Sequence, residues 1–354
     1  MFQLTRGNLL EADAEALVNT VNCVGVMGKG VALQFKQAFP QNFTAYEQAC
    51  RRKELQPGRM LVVPTMGMGN PKYIINFPTK AHWKGKSRLE YIDAGLEALV
   101  EEIQRLGIQS VAVPPLGCGN GGLDWKDVKP RIQAAFEQIP HVRAFVYEPE
   151  GAPATDKMAV GTSRPALTRA RALLLRLIGR YRQSGYRSTL LEVQKLAYLL
   201  QSAGEPLKLA YVKHKYGPYA ENLNFVLQRL EGHYLRGYGD RSQRAEIRLL
   251  PGSAEEAQRY LAGSDDALER LSRVERLIDG FESPYGMELL ATVHWVVSEN
   301  PTSANDTLAI VDLVRDWSQR KGELFTPRHI LVAWERLHDE GWLPEPTAAV
   351  AQAG

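Results

Sequence analysis

The chain has 354 residues, enough for two domains with separate cores. Its 44% hydrophobic and 23% charged residues are ordinary for a soluble globular protein, and a net charge of +3 is too small for nucleic-acid binding through bulk electrostatics, so any DNA contact must be local. Three unclustered cysteines (Cys23, Cys50, Cys118) fit a reducing cytoplasm and argue against a disulfide framework or zinc site; the charged N-terminus lacks a signal-peptide core, and no run approaches the ~20 apolar residues of a membrane span.

In chain order, "EALVNTVN" reads as a strand, "KGVALQFKQAF" as a helix, and "RMLVVPTM" and "KYIINFP" as strands. "RLEYIDAGLEALVEEIQRLG" is an amphipathic helix that stops at Gly107. "QSVAVPPLG" is a strand, "DWKDVKPRIQAAFEQI" a helix and "VRAFVYEP" a closing strand. This alternation predicts an α/β layer fold with a largely parallel or mixed sheet over residues 1–150. Residues 151–165 lie in the Pro-, Gly-, Ala-rich stretch "PEGAPATDKMAVGTSRPA" and read as a linker. Residues 166–354 show the helical apolar period again and again, in "RARALLLRLIGRYRQ", "TLLEVQKLAYLLQSAG", "AENLNFVLQRLEGHYL", "LERLSRVERLIDGF", "MELLATVHWVVSEN" and "RHILVAWERLHDEGW", so a mainly helical second domain is expected.

Two glycine-rich loops stand out, each after an apolar strand and before a helix: "VNCVGVMGKGVA" (21–32) and "PPLGCGNGGLDW" (114–125). Ligands of open α/β sheets sit beyond the carboxyl ends of strands. Glycine lets a backbone aim its N–H groups at an anion, so two such loops at neighbouring strand ends can clamp a diphosphate. Neither has P-loop or Rossmann spacing; a loop of this kind alone is more often just a turn, and it is the two together that favour a ligand.

The segments "GNLLEADAEALVNTVNCVGVMGKGVALQFKQAFP" and "VAVPPLGCGNGGLDW" resemble the two signature motifs of macrodomains, which bind ADP-ribose; the resemblance covers nearly all of residues 1–150. "NFPTKAHWKGKSRLEYI" is similar to the branch that holds terminal ADP-ribose glycohydrolase and the DarG antitoxins. Those antitoxins remove the ADP-ribose that a DarT-type toxin attaches to thymine in single-stranded DNA. The resemblance implies an α/β macrodomain followed by the helical domain. It places Asn8 and Leu9 at the adenine side, and Thr20, Val21 and Asn22 at the distal ribose, with Asn22 offering both donor and acceptor to its hydroxyls. Gly28, Lys29, Gly30 and Val31 fall in the first phosphate loop; Gly117, Cys118, Gly119, Asn120 and Gly121 fall in the second, with Cys118 offering only its backbone N–H. Thr79 and Lys80 take the catalytic pair of positions. The human-type enzyme also carries an aspartate in its second loop; aligning "GCG" through Trp125 puts Gly121 there, and Asp124 falls elsewhere.

Cleavage of the bond from C1 of the distal ribose to a thymine nitrogen builds oxocarbenium character on the sugar and negative charge on the base. Lys80 can attack as an amine, if burial or a neighbouring Lys29, Lys84 or Lys86 lowers its pKa, or protonate the departing base as an ammonium. His82 and Trp83 are candidates for base stacking or a phosphate contact, with packing on the surface as the alternative reading; Lys84, Lys86 and Arg88 are candidates to hold a DNA backbone. His214, His233, His294, His329 and His338 lack metal-ligand spacing, and the sequence implies neither metal nor cofactor.

"LLEVQKLAYLLQ" and "KHKYGPYAENLNFVLQRLEG" resemble the SocA-like or Panacea domain of antitoxins, which implies a domain that binds the toxin directly. A packing or dimerisation domain is the alternative. After residue 150 there are 26 basic and 25 acidic residues, so a uniformly acidic DNA mimic is not supported, although "GSAEEAQ" and "GSDDALE" leave a smaller acidic face open. The expected function is that of a cytoplasmic antitoxin acting on ADP-ribosylated single-stranded DNA and on its toxin. A non-catalytic ADP-ribose reader with a stoichiometric toxin-binding domain is the alternative.

Overall fold

The computed structural model describes residues 1–67, 69–149, 153–183, 185, 187–241 and 246–344. The chain forms two compact units, Met1–Ser163 with Gly239–Gln243, and Arg164–Tyr238 with Arg244–Gly354.

The first unit is a six-stranded sheet with helices on its faces. Its strands are β1 (Phe2–Thr5), β2 (Ala16–Val21), β3 (Leu61–Pro64), β4 (Tyr73–Pro78), β5 (Ser110–Val113) and β6 (Arg143–Tyr147); the helices are α1 (Gly30–Ala38), α2 (Pro40–Arg51), α3 (Leu89–Leu106) and α4 (Trp125–Glu137). The spatial order is β1-β6-β5-β2-β4-β3. Only the β3–β4 pair is antiparallel, so the sheet is mixed, as the alternating pattern predicts. The central strands carry short apolar stretches buried against the helices: Leu17, Val18, Ile75, Val111 and Ala112 are fully buried. Helix α3 ends at Gly107, whose φ of 66° is the left-handed conformation that closes a helix with little strain in glycine.

Two elements here escape the sequence reading. Strand β1 is only four residues long and pairs with β6 alone. Helix α2 starts one residue after α1 ends, with Pro40 at its first position and a polar sequence, PQNFTAYEQACR. Within the Pro/Gly-rich stretch, the described residues up to Ser163 belong to the first unit; Met158 is buried and the Gly161 N–H donates to Gln37 O at 2.8 Å.

The second unit is mainly helical. α5 (Arg169–Gln183) and α6 (Leu190–Ser202) precede a hairpin of β7 (Tyr211–His214) and β8 (Gly217–Ala220), with further helices over Ser253–Leu261, Asp265–Ile278, Pro284–Glu299, Thr307–Arg315 and Pro327–Asp339. α6 opens with a capping box between Thr189 and Glu192. α6 also fastens the YGPY turn. Lys195 Nζ donates to Pro218 O at 2.6 Å, and the Gln194 amide pairs in both directions with the Ala220 backbone. The two acidic stretches form the first turns of the helices at Ser253 and Asp265, where carboxylates meet the positive end of the helix. Glu256 pairs with Arg164, and Asp266 with Arg169 and Arg270.

His294 is buried and its Nδ1 lies 2.8 Å from the Tyr198 hydroxyl. Burial pulls its pKa down to about 4. Below pH ~6.5 the unfolded chain therefore takes up a proton that the folded chain refuses, so stability falls between pH ~6.5 and ~4, by up to about 3 kcal/mol from this residue. His294→Gln keeps an acceptor for Tyr198 without titrating; its melting midpoint should drop less across that window than the wild type's. Equal drops would contradict the assignment. Among the described residues, no helix is long and apolar enough to cross a membrane.

Candidate active site

Three neighbouring parallel strands, β5, β2 and β4, deliver the expected groups at their carboxyl ends. β2 runs into the first glycine loop, β5 into the second, and β4 into Thr79 and Lys80. The β2–β4 ladder continues past the strand ends: the Thr79 N–H donates to Val21 O at 3.0 Å and the Cys23 N–H to Ala81 O at 3.2 Å. Thr79 and Val21 are buried, and Thr20 is half-buried beside them.

The first loop is built around Asn22. Its Oδ1 accepts from the Val24 N–H at 3.0 Å, the Val26 N–H at 3.4 Å and the Tyr46 hydroxyl at 3.1 Å, while Nδ2 donates to Val26 O at 2.5 Å. The resemblance assigns both ends of this amide to the distal ribose; in this structure Asn22 is 6% exposed and both ends hold the loop. Tyr46 clamps the same point, donating to Asn22 O at 2.8 Å, and burial pushes its hydroxyl well above the usual range so that it stays a donor. The loop then passes Gly28 and exposed Lys29 into α1. Gly30 sits at φ 63°, and Lys29 supplies no side-chain cap, so the N–H groups of the first turn of α1, with Val31 among its residues, remain free of intrahelical partners. The Gly30 N–H itself donates to Asp240 O at 2.8 Å, and Gln34 Nε2 donates to Asp240 Oδ2 at 2.6 Å. Beneath the loop a buried amide triad ties α2 to the sheet: Asn19 Nδ2 donates to Asn76 Oδ1 at 3.0 Å, and Asn76 Nδ2 to Asn42 Oδ1 at 2.7 Å.

The second loop is a pair of tight turns. The Cys118 N–H donates to Pro115 O, the Gly122 N–H to Gly119 O and the Leu123 N–H to Gly117 O, each at 3.1 Å. The Cys118 N–H, which the resemblance assigns to the phosphate, closes a turn in this structure. Burial raises its thiol to about 11, which keeps it an unreactive thiol. Among the described residues, the amides of Gly119, Asn120 and Gly121 donate to no protein acceptor. A Cβ on Gly121 would overlap Gly117 O and Ser87 Oγ, whereas one on Gly119 would meet open space. Position 121 is therefore closed to any side chain by the Gly117 carbonyl and the Ser87 hydroxyl. Asp124 instead caps α4, accepting from the Lys126 N–H at 3.0 Å.

The two loops and the lysine meet at Asn120. Lys80 Nζ donates to Asn120 O at 2.9 Å, and Asn120 Nδ2 stands 3.0 Å from where a Gly30 Cβ would be. Burial lowers the Lys80 pKa; no neighbouring cation contributes to the shift. At the far end, Asn8 caps the short 3-10 helix Leu9–Glu11, its Oδ1 accepting from the Leu10 N–H at 3.1 Å and its Nδ2 donating to Glu11. One lone pair of that oxygen stays available, and Leu9 is buried below. Among the described residues, no group of three or more His, Cys, Asp or Glu could hold a metal ion.

A parallel-centred sheet with paired glycine loops of this kind defines a macrodomain, and the Macro domain family model matches residues 18–132. A DNA ADP-ribosyl glycohydrolase of Thermus aquaticus is 50% identical over 343 residues, 97% of this chain and 94% of its own length. One of Mycobacterium tuberculosis is 45% identical over 348 residues, 94% and 97% of the two chains. The chain belongs to this DNA ADP-ribosyl glycohydrolase family, whose M. tuberculosis macrodomain has been solved as that of DarG; it is 61% identical, spans 42% of this chain and 99% of its own, and superposes with a TM-score of 0.42. A Thermosipho africanus fusion of a DNA ADP-ribosyl transferase with a DNA ADP-ribosyl glycohydrolase is 36% identical over 142 residues, 36% of this chain and 37% of the fusion.

Proposed function

We propose that the chain hydrolyses the N-glycosidic bond between ADP-ribose and thymine in single-stranded DNA. The observation that carries this is the convergence at Asn120 of the two glycine loops, the second with unpartnered amides, and the half-buried Lys80 side chain. The amides of Gly119–Gly121, which donate to no protein acceptor, and those of the first turn of α1 beyond Gly30, which lack intrahelical partners, suit a diphosphate held between the loops. That anchorage presents the distal ribose to Thr79 and Lys80 at the end of β4. Water supplies the hydroxyl that ends on C1, and the leaving thymine takes the proton. Lys80 either adds to C1 as a neutral amine or stabilises the charge growing on the base as an ammonium. Relatives named DNA ADP-ribosyl glycohydrolase and aligned over nearly the whole chain support the glycohydrolase part of the reading. The test is release of free ADP-ribose from an ADP-ribosylated single-stranded oligonucleotide by substoichiometric protein.

The second unit is assigned to binding and inhibiting the cognate DarT-type toxin. Its support is the resemblance of the α6 and YGPY segments to antitoxin domains, and a relative in which transferase and glycohydrolase share one chain. The paired acids at the starts of its helices speak against a mimic of DNA made from those two stretches.

A further inference from the structure

The segment from Thr79 to Leu89, TKAHWKGKSRL, carries four cationic residues and no acidic one. Its ends are tied to the two phosphate loops: Ala81 O accepts from the Cys23 N–H at 3.2 Å, and the Ser87 N–H donates to Gly121 O at 3.0 Å. Between these ties the chain makes a turn closed by the Gly85 N–H on His82 O at 2.9 Å, with Ala81–Lys86 all exposed. The turn carries an aromatic stack. His82 and Trp83 lie 5.6 Å apart with 27° between their planes, and Lys84 Nζ stands 5.1 Å from the indole centre. The Lys84 N–H donates to His82 Nδ1 at 3.2 Å, which fixes the imidazole and leaves Nε2 as its polar edge. Trp83 is 50% exposed. A surface indole held in place by a stacked ring and a turn, with the Lys84 ammonium beside it, has the composition that receives unpaired bases and their phosphates.

We infer that His82 and Trp83 form a platform on which a base flanking the modified thymine stacks, with Lys84, Lys86 and Arg88 along the phosphates on either side. The inference rests on the DNA hydrolase reading and deepens it. It identifies how a chain of net charge +3 takes a polyanionic substrate without a broad basic surface. It also predicts that recognition extends past the ADP-ribose itself. Because the turn hangs from Cys23 and Gly121, a strand lying on it is held at a fixed offset from Lys80.

The full-length protein separates the two levels. Release of ADP-ribose is measured from ADP-ribosylated thymidine and from an ADP-ribosylated single-stranded oligonucleotide, in the wild type, Trp83→Ala and Trp83→Phe. The wild type should show a KM about ten- to a hundredfold lower for the oligonucleotide, the range that one base–aromatic stack supplies. Trp83→Ala should lose most of that advantage while keeping kcat and KM on the nucleoside, and Trp83→Phe should retain much of it. Lys84→Ala with Lys86→Ala should flatten the salt dependence of the oligonucleotide KM. Equal wild-type KM values for both substrates, or a Trp83→Ala loss equal on both, overturn the platform; the second result would make Trp83 a structural residue of the turn. Unchanged oligonucleotide kinetics with weakened toxin association overturns it in favour of a protein contact. Absence of release from either substrate by the wild type instead refutes the hydrolase reading.

Discussion

Lys80→Ala should bind free ADP-ribose with near wild-type affinity and lose ADP-ribose release from DNA by about 10²- to 10⁴-fold, the range that one positioned proton-transfer or nucleophilic group supplies. The amides that suit the diphosphate are backbone groups, and the Lys80 hydrogen bond to the second loop goes to a carbonyl, Asn120 O. Calorimetry and a release assay on the same preparation decide the matter; joint loss of binding and turnover would make Lys80 a ligand-positioning residue. Lys80→Arg separates the two chemistries, since a guanidinium stays protonated at any working pH. A nucleophilic amine predicts an inactive arginine variant and a wild-type rate that rises with pH up to the burial-lowered lysine pKa; an ammonium that stabilises the leaving base predicts partial activity in the variant and a rate that falls above that pKa. Lys80→Ala should also still neutralise the toxin when present in equal or greater amount, because the second unit is untouched. Failure of that variant to slow DNA modification at any ratio would rule out toxin binding by the second unit.

The second large effect belongs to the glycines of the second loop, which should fail in different ways. Gly119→Glu has room for its Cβ and leaves the turns intact, so the protein should melt as the wild type does. Its carboxylate would stand among the Gly119–Gly121 amides, and ADP-ribose affinity should fall at least about 100-fold through occupancy and charge repulsion. Gly121→Ala has no such room, being pressed on Gly117 O and Ser87 Oγ, and should destabilise the first unit by about 1–3 kcal/mol as an overpacked site while also weakening binding. A Gly121→Ala protein as stable as the wild type would show that this loop is not the shape described.

The contrast between those glycines marks the limit of what the sequence discloses. That both loops follow apolar strands and precede helices is legible from composition and period alone, whereas Lys80 after "YIINF" stands out only through the resemblance and otherwise reads as one lysine of a basic stretch. Which amides stay free is not legible, because that depends on turn hydrogen bonds: Cys118 and Gly119 look equivalent in "GCGNGG", yet only the Cys118 N–H is consumed. Asn22 looks like a ligand in the sequence, and what no local pattern shows is that Tyr46, 24 residues further on, and the Val26 backbone hydrogen-bond its amide. Asn42 and Asn76 give no signal, since isolated asparagines in a helix and a strand read as polar surface until the two elements bring them face to face. Asp240 meets Gly30 and Gln34 across more than 200 residues, a pairing no local pattern can announce. The helix at Ser253 is hidden for a different reason: its acids read as a charged stretch, and only the packed positions Ala257 and Leu261 reveal the period. Strand β1 is too short for alternation to register.

The central claim is that this chain returns thymine intact by hydrolysis at C1 of the distal ribose. It is tested most directly by incubating a single-stranded oligonucleotide, ADP-ribosylated on one thymine, with a small molar fraction of the full-length protein and weighing both products by mass spectrometry. The expected products are an unmodified full-length strand and free ADP-ribose, in amounts many times that of the protein. A strand that keeps its ADP-ribose, or one that emerges with an abasic site or a broken backbone, would contradict the claim.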